Sequence, residues 1–275
     1  MRQNSLGAIL LGLMVIVPQP AFPWGDEGHR IVAHVAEHRL HKDAAERVRD
    51  LIGPEGLASV SMWADQIKSE RTETRPWHYV NIPLGRGDYD PGRDCATPQP
   101  GDCVIGALER MYARLRDPST DAPAKVEALK FLVHLMGDLH QPLHFVDNRD
   151  RGGNEALVTF FGEQNIPFTN VPWNLHAVWD TALIVRAGLT QDQYVDKVER
   201  LLKSHRPGDF EKGSFREWGL ETHRAAVEVA YGLLPPDRAI GEDYYRRALP
   251  VVDAMLAKAG ARLAKILNEA FAPAR

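Results

Sequence analysis

Apolar residues recur at helical spacing through most of the chain. Ile31, Val32, Val35 and Leu40 give that rhythm to Gly28–Leu40. Asp43 to Leu51 continues in the same style until Gly53-Pro54 interrupts it, and Val60 to Ser69 reads as a further helix. Val104 to Leu115 and Lys125 to Leu139 are helical, the second closed by Gln141-Pro142. Ala177 to Ala187, Gln191 to Ser204, Phe215 to Gly232 and Asp243 to Phe271 complete the helical set. Ala156 to Phe161, β-branched and aromatic after Gly152-Gly153, is the best strand. Arg75 to Pro100 is rich in Pro, Gly and Asp and reads as a long loop over the surface. With no internal repeat and no low-complexity tract, the pattern predicts a mainly α, single-domain fold with one long surface loop and a short β element.

Composition sharpens this in three ways. The 275 residues are 44% apolar and 25% charged, which suits a folded domain with a real core. Arg2 followed by the apolar run Leu6 to Val17 has the layout of a secretory signal and is too short to span a bilayer. The expectation is a signal peptide over 1–23 and one domain over 24–275, secreted or periplasmic, with no membrane in the mature form. A buried N-terminal helix is the alternative reading of that run. Cys95 and Cys103, the only cysteines, bound a short Pro/Gly-rich loop, which in an exported protein suggests a local disulfide, with free thiols as the alternative. The chain holds no Asn-x-Ser/Thr acceptor.

The formal charge of −4 and pI near 6.3 have the wrong sign for gripping a polyanion by a basic surface. Any such substrate needs another source of positive charge. The stretch Phe131-Leu-Val-His134-Leu-Met-Gly-Asp138-Leu-His140-Gln-Pro-Leu-His144 offers one. His134 and Asp138 are four apart and share a helical face, while His144 follows Pro142 and approaches from another direction. Imidazole and carboxylate converging from two backbone directions suit zinc, with manganese or iron possible. The plain alternative is a helix with incidental polar residues, yet an unpaired Asp among Leu132, Val133, Leu135 and Met136 would be costly. His176 and Asp180 repeat the four-residue spacing. Trp63-Ala-Asp65, Trp77-His78-Tyr79 and Trp24-Gly-Asp-Glu-Gly-His29 add further candidates that are unremarkable singly.

The ordered set Trp24-x4-His29, Trp63-Ala-Asp65, His78, His134-x3-Asp138-x5-His144 and His176-x3-Asp180 resembles the zinc-dependent single-strand nucleases. That family comprises fungal S-one/P-one type nucleases, plant bifunctional nucleases and bacterial relatives. The likeness runs from Trp24 to near the C-terminus. It implies the helical fold shared with zinc phospholipase C and a centre of three zinc ions. Asp65, His78 and His134 would hold the first, and the amino group and carbonyl of Trp24 with His29 the second. Asp138 would bridge those two, and His144, His176 and Asp180 would hold the third. Asp65, Lys68 and Asp138 are the implied catalytic residues, with Lys68 stabilising the transition state. Tyr79 and Asn81 would stack on and hydrogen-bond a base, and Asn154 would help bind substrate. The implied reaction cuts single-stranded DNA and RNA to 5′-phosphate products, with 3′-nucleotidase activity on nucleotides as a further possibility and no stable protein partner. Loss of 1–23 removes Arg2, taking −4 to −5, and three divalent ions then bring the total to +1.

Two positions depart from the family pattern. Asn81 stands where Asp is common, which adds a donor and can change base preference. The junction Ala21-Phe22-Pro23-Trp24 places Pro before the expected cut, whereas a free amine on Trp24 requires cleavage or trimming right there. A zinc phospholipase C and a non-catalytic zinc-binding protein are the rival readings. His34, His38 and His41 share a helical rhythm but face away from Ile31 and Val35, and read as solvent-exposed. His140, His205 and His223 read as structural or surface residues.

Overall fold

The computed structural model describes residues 25–96, 98–99 and 101–272. The expected leader and Trp24 lie outside the described residues. The long C-terminal helix α12 (Glu242–Ala270) supplies the spine of the core, burying Val252, Leu256, Leu263 and Leu267 among others. Its main packing partners are α1 (Gly25–Glu37), α7 (Ala122–Asp138), α9 (Leu183–Arg186) and α10 (Gln191–Lys203). α6 (Val104–Arg116) lies along α7, and α2 (Lys42–Ile52) and α3 (Gly56–Val60) close the side of α1. Local chemistry sets the helix starts. Asp121 Oδ1 accepts from Ala124 N with Pro123 just inside α7. Thr190 and Ser214 form capping boxes at α10 and α11 (Phe215–Ala225). Among the described residues no helix is long and apolar enough to cross a membrane.

The mainly α reading holds, and the departures from it bear on the site. Val60–Ser69 is not one helix. α3 ends at Val60 and α4 (Trp63–Ile67) begins after a break at Ser61-Met62, where the Ser61 hydroxyl donates to Ala58 O and competes with the helical ladder. The 75–100 stretch is also more than a surface loop. It begins inside a 3-10 helix (Thr72–His78), buries Val80, Ile82 and Tyr89, and contains a short helix α5 (Pro91–Asp94). Its middle runs beside 144–147, with Val80 N bonded to His144 O at 2.8 Å and Asp147 N to Ile82 O at 2.9 Å.

The strand expected over Ala156–Phe161 shrinks to β1 (Thr159–Phe160), paired in parallel with β2 (Ala239–Ile240). The extended segment changes partner midway. Val158 N bonds to Trp173 O and Leu175 N to Ala156 O, while Thr159 N turns to Arg238 O. Phe161, in the left-handed region at φ 52°, ends it. The helices expected from Ala177 and Phe215 carry π-helical stretches, Val178–Ala182 after α8 (Leu175–Ala177) and Ala226–Tyr231 after α11. Cys95 and Cys103 form a disulfide with Cα atoms 5.1 Å apart.

α1 and α12 approach closely because Gly260 has no side chain. A Cβ there would lie 2.6 Å from Val35 Cβ and 3.2 Å from Val32 O. Gly260→Ala gains about 1 kcal/mol in helix propensity but overpacks a stem that cannot swing aside, which costs about 1–3 kcal/mol. The expected result is a lower unfolding midpoint in denaturant. Val35→Gly, which removes that Cβ, should soften the loss in a double-mutant cycle, and additive effects would show that the contact is not the cause.

Candidate metal centre

The C-terminal turn of α7 carries two polar side chains into the core. His134 and Asp138 have no solvent exposure and lie 3.2 Å apart, on a helix that also buries Leu132, Val133, Leu135 and Met136. α4 brings in Asp65, and the end of the 3-10 helix brings in His78. His134 Nε2 faces Asp65 Oδ1 at 3.5 Å, and His78 Nδ1 faces Asp138 Oδ2 at 2.9 Å. His29, on the first turns of α1, stacks on the His134 ring at 3.9 Å and puts Nε2 3.6 Å from Asp138 Oδ1. Asp138 is thus flanked by His29 on one side and by the Asp65–His78–His134 group on the other. That arrangement suits a carboxylate shared between two cations.

A second constellation sits beside the first. α7 gives way after Asp138, and Gln141 caps a 3-10 turn (Pro142–Phe145) that swings His144 inward. His176 comes from α8 and Asp180 from the π-helical stretch behind it, 3.2 Å from each other. His144 Nε2 lies 3.8 Å from Asp180 Oδ1. In both constellations a backbone carbonyl fixes the imidazole tautomer. His134 Nδ1 donates to Ser61 O at 2.7 Å, His144 Nδ1 to His78 O at 2.8 Å, and His176 Nδ1 to Gly152 O at 2.7 Å. A carbonyl only accepts, so in the neutral form of each ring Nε2 is the nitrogen that carries a lone pair for a ligand. The ligand atoms of His29, His134 and Asp138 lie within 4.8 Å of one another, as do those of Asp65, His78 and His134, and those of His144, His176 and Asp180.

The electrostatics favour cations. Burial pushes His29 and His78 below the ordinary imidazole range. His134 goes the other way, because Asp138 and Asp65 outweigh its burial and raise it to about 10. Burial would raise Asp138 and Asp65, but the facing imidazoles hold both below the usual carboxylate range. His176 and Asp180 repeat the pattern, each overcoming burial through the other. His29 Nε2, Asp65 Oδ2, His78 Nε2 and Asp138 Oδ1 are buried without a hydrogen-bond partner. Each such atom costs about 1–3 kcal/mol. Nitrogen and carboxylate donors held at this spacing fit divalent zinc.

The two constellations lie under one cleft of about 770 Å³, whose walls include Asp65, Lys68, His78, Tyr79, Asn81, His144, Asn154 and His176. Lys68 Nζ reaches Asp65 Oδ1 at 2.7 Å. Tyr79 is 41% exposed, enough to present a ring face to a ligand, and Asn81 is exposed beside it. Asn154 is exposed too, with its amide donating to Arg151 O. A second cavity of about 730 Å³ lies at the far ends of α1, α10 and α12 and holds no His/Asp group of this kind among the described residues.

The other histidines stand apart. His38 is exposed near Glu199, His34 pairs with Glu37 and His41 is exposed, so the first two have acidic neighbours that the sequence reading did not foresee. His140 is buried between Met136 O and Arg262, His223 between the carbonyls of Phe145 and Arg86, and His205 is exposed. Sequence reasoning missed Gln141, whose amide donates to Asp180 while its carbonyl accepts from Leu143 N. It also missed Gly137, where a Cβ would lie 2.6 Å from His29 Nδ1. A glycine inside an otherwise apolar helix was the available signal for the second.

The S1/P1 nuclease family model matches residues 24–272. Endonuclease 2 of Arabidopsis thaliana is 31% identical, with 90% of each chain covered. Endonuclease 5 of the same plant is 33% identical over 91% of each. Nuclease S1 of Aspergillus oryzae is 30% identical, covering 91% of this chain and 92% of its own.

The space left by Gly137 gives a test that does not touch a ligand. Gly137→Ala should keep the helical circular dichroism but displace His29, lowering metal content per chain. An unchanged metal content would show that the close approach does not matter.

Proposed function

The chain belongs to the S1/P1 nuclease family, whose members act on nucleic acids, and on that premise we propose that it is an exported zinc-dependent endonuclease. Its substrates are the phosphodiester bonds of single-stranded DNA and RNA, its products carry 5′-phosphates, and 3′-nucleotides are secondary substrates. The single observation that carries this reading is the convergence of three His/Asp groups under one open cleft.

In this reading Asp65, His78 and His134 hold one zinc, His29 and Trp24 a second, and Asp138 bridges the two. His144, His176 and Asp180 hold a third. Trp24, with its amino group and carbonyl, lies outside the described residues, and the signal peptide over 1–23 shares that status. When bound, zinc supplies Lewis acidity and positive charge in a chain whose own net charge is −4. The protein's own groups do the rest. Asp138, flanked by imidazoles and shielded from water, keeps its negative charge and fixes the spacing of the first two ligand groups. Lys68 Nζ, part-buried beside Asp65, neutralises charge that builds on the non-bridging phosphate oxygens. The leaving 3′-oxygen departs on the side of His144, His176 and Asp180. Tyr79 stacks on a base, which must be unpaired to reach the ring, and Asn81 and Asn154 hydrogen-bond the nucleotide.

The decisive assay gives the zinc-loaded protein denatured DNA, RNA, duplex DNA and phosphatidylcholine. Release of 5′-phosphate products from the single strands, with little from duplex, is expected. Fast lipid turnover with inert nucleic acid would make it a phospholipase C, and zinc binding without any turnover would make it a metal-binding protein.

Asp138→Asn should remove two zinc ions together and lower turnover by more than about 100-fold, the upper range for groups one step further from a metal. Full activity with unchanged zinc content would contradict the bridging role. His38→Ala, in the exposed turn just after α1, should leave both readouts intact. Chelation should abolish turnover and lower the melting temperature, with a stability loss of about 4 kcal/mol for each site held at a thousandfold above its dissociation constant. Recovery on adding zinc back completes the test.

A further inference from the structure

Two guanidinium groups line the same cleft and take no part in the chemistry above. Arg75 and Arg151 belong to its walls, and both side chains are exposed. Several arginines elsewhere are pinned by carboxylates, Arg39 by Glu199, Arg71 by Glu127 and Arg262 by Glu221. Arg75 has no such partner among the described residues. Its Nε donates to Lys68 O at 3.1 Å, which steadies the base of the fork and leaves both Nη groups toward solvent. Arg151 has only Glu155, 3.9 Å away, with the two side chains 80% and 58% exposed. A pair that loose is worth almost nothing and yields readily to a phosphate.

The backbone at Arg151 adds an independent sign. Its φ is 57°, a left-handed conformation that a side chain larger than Asn rarely adopts. The turn holds it there: Asp147 Oδ1 accepts from Arg151 N at 3.0 Å, Asp150 Oδ1 accepts from Gly153 N at 2.9 Å, and Tyr231 OH donates to Asp150. Strain that is maintained at a cleft wall points to a use for the side chain it aims.

The two arginines also bracket the centre. Arg75 is tied to the carbonyl of Lys68, whose ammonium rests on Asp65 of one ligand group. Arg151 adjoins Gly152, whose carbonyl orients His176 of the other. We propose that Arg75 and Arg151 bind the phosphates flanking the scissile one, so that the cleft selects an oligonucleotide strand over a 3′-mononucleotide. This rests on the nuclease reading above. A mononucleotide has one phosphate, which the metal centre takes, whereas a strand offers a phosphate on either side. A planar guanidinium matches phosphate oxygens with two parallel bonds.

The test compares kcat/KM of the zinc-loaded protein, Arg75→Gln, Arg151→Gln and the double variant on a single-stranded oligonucleotide and on 3′-adenylate, across a salt series. Each substitution should lower the oligonucleotide-to-mononucleotide ratio about fivefold through KM, and reduce the slope of log(kcat/KM) against log(salt) for the strand by about 0.7. Arg→Lys should restore the slope and only part of the ratio. An unchanged ratio and slope, or equal losses on both substrates, would overturn the assignment. Fluorescence anisotropy with a phosphorothioate strand separates the two readings. If the wild-type protein turns over neither substrate yet binds that strand in an Arg75- and Arg151-dependent way, the nuclease reading fails, and with it the selectivity, while the two arginines remain phosphate contacts. If it turns over the strand and binds the phosphorothioate equally with and without the arginines, the clamp fails alone.

Discussion

Asp138 sits with no solvent exposure at the end of a helix whose neighbours include Leu135 and Met136, and a carboxylate in that position has to be satisfied by something. Four imidazoles face it, His134 from the preceding turn of the same helix and His78, His144 and His29 from elsewhere in the chain, yet its Oδ1 still lacks a hydrogen-bond partner. Each comes from a different stretch of backbone, so the fold must bring α1, the 3-10 helix before the long loop and the turn after α7 to one point. The long α12 and its packing on α1, α7 and α10 provide the frame that makes this possible. The apolar core and the polar centre are therefore one construction, since the helices that bury Val32, Leu132 and Leu256 are those that aim or back the ligands.

Irregular backbone does the aiming. The break between α3 and α4 leaves the Ser61 carbonyl for His134. The left-handed turn at Arg151-Gly152 sets the carbonyl for His176. Asp180 lies in a π-helical stretch, a form of helix that is rare except near functional sites. Regular helices would have used those carbonyls in their own ladders and left the rings free to rotate. The centre thus depends on places where the helical pattern fails, each short and each braced by a neighbour.

That division explains what could be read from the chain beforehand. The 3.6-residue rhythm of α1, α6, α7, α10 and α12 is an averaged property of many side chains, and it was legible to within a few residues. The paired spacing of His134 with Asp138 and His176 with Asp180 was legible for the same reason, because one helical turn converts sequence distance into a shared face. The Ser61 break was not, since it reflects competition by a single hydroxyl, and no residue spacing announces the two π-helical stretches. The strand at 156–161 was overestimated because β-branched residues report extended backbone but not which partner it will take, and here the partner changes after Val158. Gln141 was invisible for a different reason. Its worth comes from Asp180, far away in sequence, and no local spacing announces that.

One pair of contacts ties the two constellations to each other. His144 donates from its ring to the carbonyl of His78, and Val80 N in turn bonds to the carbonyl of His144. A ligand of one group is therefore laced through the backbone of a ligand of the other. A displacement of either side chain pulls on the same short ladder, so the two constellations share one piece of backbone and move together.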